Sequence, residues 1–349
     1  HMTSILELGL DTFGDVTSGE DGTPLAHAQV IRDVIQQGVL ADQVGADFIG
    51  LGEHHRADFA ISSPEMVLAT IAGLTSRIRL GSAVTVLSSD EPVRVFQRYS
   101  TLNAASKGRA EIILGRGSFT ESFPLFGFEL RDYEKLFEEK LDLFAALLRD
   151  DPVSWKGTVR APLDNQRVFP SLEHGPLKTW IGVGGSPESV VRAAHYGMPL
   201  MLAIIGGDPG RFKPLADYYL RACGQLEKPV LPVLPVGVHS HGHVSTSDAK
   251  AREEYWPDYK SMRDRIGAER GWPPFTPSEF EREIVNGSLY VGSPETVAKK
   301  IARTSSLLGL TRFDMKYSAG SLSHAKMMSC IELYGRKVIP LVRDMMTAR

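Results

Sequence analysis

Stretches with the period of a strand and stretches with the period of a helix alternate along the whole chain, about eight times. Strands separated by helices pair in parallel, with the helices packed outside the sheet. The chain has 349 residues, a typical length for one closed (β/α)8 barrel. A two-domain doubly wound fold needs a linker, and no composition break supplies one. The expected fold is a single (β/α)8 barrel, a TIM barrel with insertions, over residues 3–349.

The expected strands cover residues 5–13, 48–51, 78–87, 109–114, 179–183, 199–205, 231–238 (running on toward 244) and 312–317. The expected helices cover 28–44, 64–75, 91–105, 132–149, 187–196, 212–226, 248–255, 293–308 and 323–346. In the first, Val30, Ile31, Val34 and Ile35 recur at helical spacing and Gly45 is placed to cap. Three segments fall outside the alternation. Residues 14–24 form a Gly-, Asp- and Ser-rich loop too long for an ordinary βα connection. Residues 151–176 read as a surface insertion with a small hairpin. Residues 256–289, rich in Pro, Gly, Trp and charge, resist assignment.

Charge and composition exclude several classes. A formal net charge of −3 without a long basic run argues against a nucleic-acid surface. No apolar run reaches membrane-spanning length, and no signal peptide is recognised. Cys223 and Cys330 are far apart in helix-like stretches, so buried free thiols in a reducing, cytoplasmic compartment are expected. His1-Met2 reads as a cloning remnant and is set aside.

The residues that carry chemistry cluster where strands end. The run Phe48-Ile49-Gly50-Leu51-Gly52 ends in Glu53, His54 and His55. Residues just past the C-terminal end of a parallel strand face the active-site side of such a fold. Adjacent residues point to opposite faces, so one His faces a ligand and the other packs behind it; the same residues also suit a polar strand cap. Gly182-Val183-Gly184-Gly185-Ser186-Pro187-Glu188-Ser189 joins a strand to a helix through glycines, with Ser186 at the N-cap and Pro187 at the first helical position. Free amides at such a start suit a phosphate. Val291-Gly292-Ser293-Pro294-Glu295 repeats the cap, so an ordinary capped helix explains either copy, and the first is favoured for its stronger strand and extra glycine. The G-x-G-x-x-G spacing of a Rossmann turn is absent there. Gly115-Arg116-Gly117-Ser118 closes the fourth strand; Arg116 is either a bidentate phosphate ligand or a solvated turn residue. His239, His241 and His243 alternate on one strand, but no carboxylate or cysteine pattern completes a metal set, and a polar strand end is the better reading.

Taken together, these segments resemble the bacterial luciferase-like flavin monooxygenase family, in its FMN-using branch. The resemblance rests on Glu53-His54-His55 with Asp58-Phe59, residues 80–87 with Pro92-Val93-Arg94, and Ser106-Lys107-Gly108-Arg109 leading to Gly115-Arg116-Gly117. The Gly184-Gly185-Ser186 turn and the second Gly-Ser-Pro-Glu complete it, in order. It implies reduced FMN (FMNH2), supplied by a partner flavin reductase, at the C-terminal ends of the strands, with O2 used to oxygenate a small organic substrate. It implies a phosphate pocket of Arg116, Gly117, Ser118, Gly184, Gly185, Ser186 and Ser189, with Tyr133 adding a hydroxyl. Ala83 and Val84 are implied to lie behind the flavin ring, often through a non-prolyl cis peptide. Glu53 matches a carboxylate near the flavin and His54 the catalytic acid/base, for which an imidazole titrating near neutral pH is suited. Residues 256–289 lie where the family carries a mobile loop, so a lid is expected. A homodimer is implied as well. Two departures stand out: Gly115 occupies a position where a cysteine occurs in the family, and no second basic residue is evident around Tyr133 and Glu134. The alternatives are hydride transfer with the deazaflavin F420, and a flavin-binding protein without turnover.

Overall fold

The computed structural model describes residues 5–173, 175–224 and 234–348. Eight parallel strands form the barrel: β1 (Glu7–Thr12), β2 (Phe48–Leu51), β3 (Arg79–Ser82), β4 (Ala110–Gly115), β5 (Lys178–Val183), β6 (Leu200–Ala203), β7 (Val236–Val244) and β8 (Arg312–Lys316). It closes because β1 pairs with both β2 and β8, and β7 joins β6 to β8. The helices of nine or more residues are α1 (His27–Val44), α2 (Pro64–Gly73), α3 (Pro92–Ala105), α4 (Tyr133–Arg149), α5 (Pro187–His195), α6 (Lys213–Gly224), α7 (Asp248–Arg270), α8 (Pro277–Val285), α9 (Pro294–Leu308), α10 (His324–Leu333) and α11 (Ile339–Thr347).

Local sequence explains most of this. In α1, Val30, Val34, Gln37, Ala41 and Val44 form the buried face, and Gly45, at φ 98°, turns left-handed to return its N–H to the last carbonyls. The barrel floor is sealed by charge and aromatic rings. Fully buried Arg312 donates to Glu111 at 2.8 and 2.9 Å, the Trp180 indole N–H donates to Glu111 at 2.9 Å, and Phe48 lies under the guanidinium. With that end closed, ligand access belongs to the C-terminal end.

Four expectations change. The 78–87 strand is broken: β3 stops at Ser82, and Thr85–Val86 pairs separately with β4 after a cis peptide between Ala83 and Val84. The helix expected to stop at 255 runs on to Arg270, with Pro257 inside it. Residues 256–289 are therefore mostly helical rather than loop. Their aromatic residues build a second small core, in which Tyr255, Tyr259 and Met262 pack on Phe275, Phe280 and Ile284. That burial outweighs the hydrogen bond a proline removes. The closing helix widens into a π turn at Tyr334–Val338 between α10 and α11.

The 151–176 insertion does contain a hairpin, Val153–Trp155 against Leu163–Gln166. Cys223 and Cys330 are buried and free. His1-Met2, the expected end of α6 at 226 and the expected start of β7 at 231 lie outside the described residues.

Candidate active site

The strand ends open on a cleft of about 430 Å³. One wall is apolar and glycine-floored. Ala83 and Val84 line it, and a Cβ on Gly115 would meet the Val84 side chain at 2.8 Å. Gly115 is thus required by the fit of Val84, and a cysteine could not stand there without displacing it. Arg116, Gly117, Ser118 and Tyr133 line the cleft beside this wall, and Gly184, Gly185, Ser186 and Ser189 continue it from the end of β5. Of the predicted catalytic and cofactor-binding residues, only Glu53 does not line it.

Glu53 faces elsewhere. One carboxylate oxygen accepts the Val86 N–H at 3.1 Å and the other meets His55 Nε2 at 2.6 Å. Its own N–H donates to the Val84 carbonyl at 3.1 Å. Glu53 therefore braces the Ala83–Val86 segment from behind, and burial raises its pKa. It lines a separate polar cavity of about 590 Å³ together with His55, Asp90 and Arg98.

His54 takes the cleft side of the pair. Its ring lies 4.5 Å from Phe13, 4.7 Å from Phe59 and 5.4 Å from Phe119. This apolar cage desolvates the imidazole and pushes its pKa down to about 3. The expectation of titration near neutral pH is corrected: in the free cleft His54 is a neutral imidazole. It can accept a hydrogen bond at one ring nitrogen and donate one N–H from the other.

The anion side is built from three elements. Arg116 reaches from the end of β4 to Glu134 on α4, an exposed ion pair closed by two hydrogen bonds, and its Nε stays buried without a partner. Arg192 on α5 was not evident in the sequence. It pairs with Glu138 at 2.9 Å, lies 5.6 Å from the Phe137 ring that Arg116 also covers at 5.5 Å, and keeps Nη1 buried and unpaired. It supplies a second cation near Arg116, from α5 rather than α4, without lining the cleft itself. Gly185, at φ 134°, leaves open space where a side chain would sit, and the Ser186 hydroxyl makes no cap bond to its own helix.

Other lining residues went unassigned in sequence. His239 and His241 face the cleft, whereas His243 turns to Glu254 at 3.0 Å. His239 Nδ1 meets Asp11 at 2.5 Å. Among the described residues, no group of three or more His, Cys, Asp or Glu could hold a metal ion. Tyr259, Met262, Arg263, Ile266 and Arg270 of α7 line the cleft, with Trp272 just beyond. The alternation of histidines on β7 was one signal; for α7 the resemblance put a lid over 256–289, but Pro257 masked the helix itself.

Known proteins share this fold. A curated relative, the uncharacterized protein y4vJ of Sinorhizobium fredii, is 23% identical over 94% of this chain and 96% of its own length. The alkanal monooxygenase alpha chain of Photorhabdus laumondii is 26% identical over 55% of this chain, an alignment spanning 54% of that protein. Among solved structures, monooxygenase RslO1 of Streptomyces bottropensis superposes with a TM-score of 0.80 at 18% identity, covering 96% of this chain and 99% of that one. The oxygenating constituent of 3,6-diketocamphane monooxygenase from Pseudomonas putida, solved with FMN, gives a TM-score of 0.75 at 18% identity, covering 96% and 98%. The F420-dependent tetrahydromethanopterin reductase of Methanopyrus kandleri gives 0.67 at 16%, covering 96% and 99%. The profile of the luciferase-like monooxygenases matches residues 12–311, so the chain belongs to the luciferase-like monooxygenase family and is an oxidoreductase.

Proposed function

We propose that the cleft binds reduced FMN delivered by a separate flavin reductase and uses it with O2 to oxygenate a small organic substrate. The observation that carries this is an anion receptor with unspent donors beside a flat apolar wall. Arg116 Nε is buried without a partner, Arg192 stands near it as a second cation outside the cleft lining, the Gly185 cradle is open, and Ser186 keeps its hydroxyl free. Those groups, with Ser189 and Tyr133, fit a phosphate monoester. Ala83 and Val84 would back the ring. Reduced FMN, when bound, supplies the electrons that activate O2.

The chain's own residues do the rest. Phe13, Phe59 and Phe119 keep water from the face that His54 occupies. His54, a neutral imidazole, would offer a ring nitrogen within the cleft as hydrogen-bond partner to the group that gains or loses a proton there. Glu53 and His55 hold the Ala83–Val86 segment in place. The α7 segment, with Trp272, acts as the lid. We place the enzyme in the cytoplasm as a homodimer, the compartment agreeing with its two buried free thiols.

Anaerobic titration with FMN, FMNH2, riboflavin and reduced F420, followed by admission of O2, tests the reading. FMNH2 is expected to bind best and to be consumed with oxygen. Binding of F420 alone moves the protein to hydride transfer. His54→Gln is expected to leave FMNH2 affinity within about twofold and to slow the oxygen reaction about 100-fold. An unchanged reaction would make the chain a flavin carrier. Limited proteolysis of residues 256–289 is expected to slow when FMNH2 is bound, and equal cutting would remove the lid.

A further inference from the structure

The cations of the cleft are neutralised unevenly. Its lining holds one carboxylate, Asp11, already bound by His239 at 2.5 Å. Against it stand Arg116, Arg263, Arg270 and Lys316. Lys316 pairs with Asp15 at 3.0 Å and Arg116 with Glu134. Arg263 and Arg270 pair with no carboxylate among the described residues. Their helix shows that this is selective. Arg252 and Arg265, also on α7, are paired with Glu281 at 2.8 Å and Asp58 at 3.2 Å.

Residues 263 and 270 are two helical turns apart and share a face. Their guanidinium carbons lie 5.1 and 5.4 Å from the Trp272 ring, so the indole lies against both. Arg263 Nε is buried without a partner, and its charge acts on His241 and Tyr259 within the cleft. Arg270 covers Phe119 at 5.3 Å and donates to the Ser118 carbonyl at 3.0 Å. Around them the wall is apolar: Phe13, Phe59, Met262 and Ile266. Ring faces hold a guanidinium in place while leaving its edge free, and that edge matches a planar carboxylate.

We propose that Arg263, assisted by Arg270, is the carboxylate-binding subsite for the substrate, which is an organic acid with an apolar, ring-sized body. The inference rests on the flavin reading, in which the Arg116 side of the cleft is taken by the cofactor's phosphate.

The test is calorimetric titration of the purified protein, with and without FMN. The probes are three acids of increasing reach, phenylacetate, 4-phenylbutyrate and 6-phenylhexanoate, each beside its neutral amide. At least one acid is expected to bind about tenfold tighter than its amide. Arg263→Gln should bring that ratio to about one while leaving amide binding unchanged, which also reports an intact fold. Arg263→Lys should keep part of the preference and Arg270→Gln should lose less of it than Arg263→Gln. If no acid outbinds its amide, or if Arg263→Gln weakens acid and amide alike, the proposal is overturned. So too if the substitution weakens reduced F420 and leaves every acid untouched, since the pair would then hold a cofactor tail. FMN affinity is read separately. Acid preference without FMN binding removes the flavin reading and keeps this subsite; FMN binding without acid preference does the reverse.

Discussion

Two helices in this barrel begin with the same words and are put to opposite use. Gly-Ser-Pro-Glu opens α5 at Gly185 and α9 at Gly292. At α9 the motif is closed on itself. The Ser293 hydroxyl accepts the Thr296 N–H, and Asp248 from the start of α7 accepts the Ser293 N–H at 2.8 Å. A Cβ on Gly292 would meet that carboxylate at 2.7 Å. At α5 nothing fills the equivalent place: Gly185 faces open space and Ser186 caps nothing. One helix start carries a built-in anion, and the other is left for an anion from outside. An N-terminal helix site is therefore defined less by its own residues than by what the rest of the chain brings to it.

The largest effect should come from Arg116, the cation that lines the cleft at the open start. Arg116→Ala is expected to weaken FMN about 100-fold, as loss of charge-assisted bonds to a phosphate does, and to leave riboflavin within about threefold. Equal loss of both ligands, read by fluorescence titration, would mean that Arg116 shapes the cleft and receives no phosphate.

Next comes the internal anion. Asp248→Ala should cost about 1–2 kcal/mol in chemical denaturation and leave FMN affinity alone, since it strips a charged acceptor from the α9 start. The pH dependence has a definite sign. The Ser293 N–H donates to the Asp248 carboxylate and holds its pKa below the ordinary value. The folded pKa lies below the unfolded one, so the stabilisation is whole above about pH 4 and is lost as pH falls through the folded value. The gap between native protein and variant should be flat from pH 7 to 5 and narrow below about 4. A gap that widens on acidification would contradict the self-neutralised reading of α9.

Why the sequence could favour the first copy only on its strand and extra glycine is visible in the same residues. Asp248 is 45 positions before Ser293, and no local pattern links them. The barrel itself was legible, because hydrophobic period and caps such as Gly45 are local properties. So was the cluster of candidate residues, since strand ends in a parallel barrel share one side. Three things were not. Strand alternation put one of His54 and His55 toward a ligand, and the resemblance put Glu53 at the flavin with His54, but only tertiary packing sets which residue meets the cleft. The Phe13, Phe59 and Phe119 cage that shifts His54 is assembled from three separate loops. Pro257 hid α7, because the aromatic core that tolerates it joins residues 255–262 to 275–284.

The smallest effects make the sharpest comparison, because one atom is removed from each motif. Ser293→Ala deletes a hydroxyl that accepts a backbone N–H, and should cost about 1 kcal/mol of stability. Ser186→Ala deletes one that makes no such bond, and should cost less than about 0.3 kcal/mol. Their ligand effects should cross over. Ser186→Ala should weaken FMN about fivefold, in line with one lost hydrogen bond, and Ser293→Ala should not change it. Neither outcome alone separates the two starts, since a capping loss or a binding loss could each arise indirectly. The crossed pattern does, because folding and FMN affinity then respond to the same substitution at different copies of the same motif. If Ser186→Ala proved the destabilising one, α5 would be an ordinary capped helix and the phosphate would have to be sought elsewhere along the strand ends.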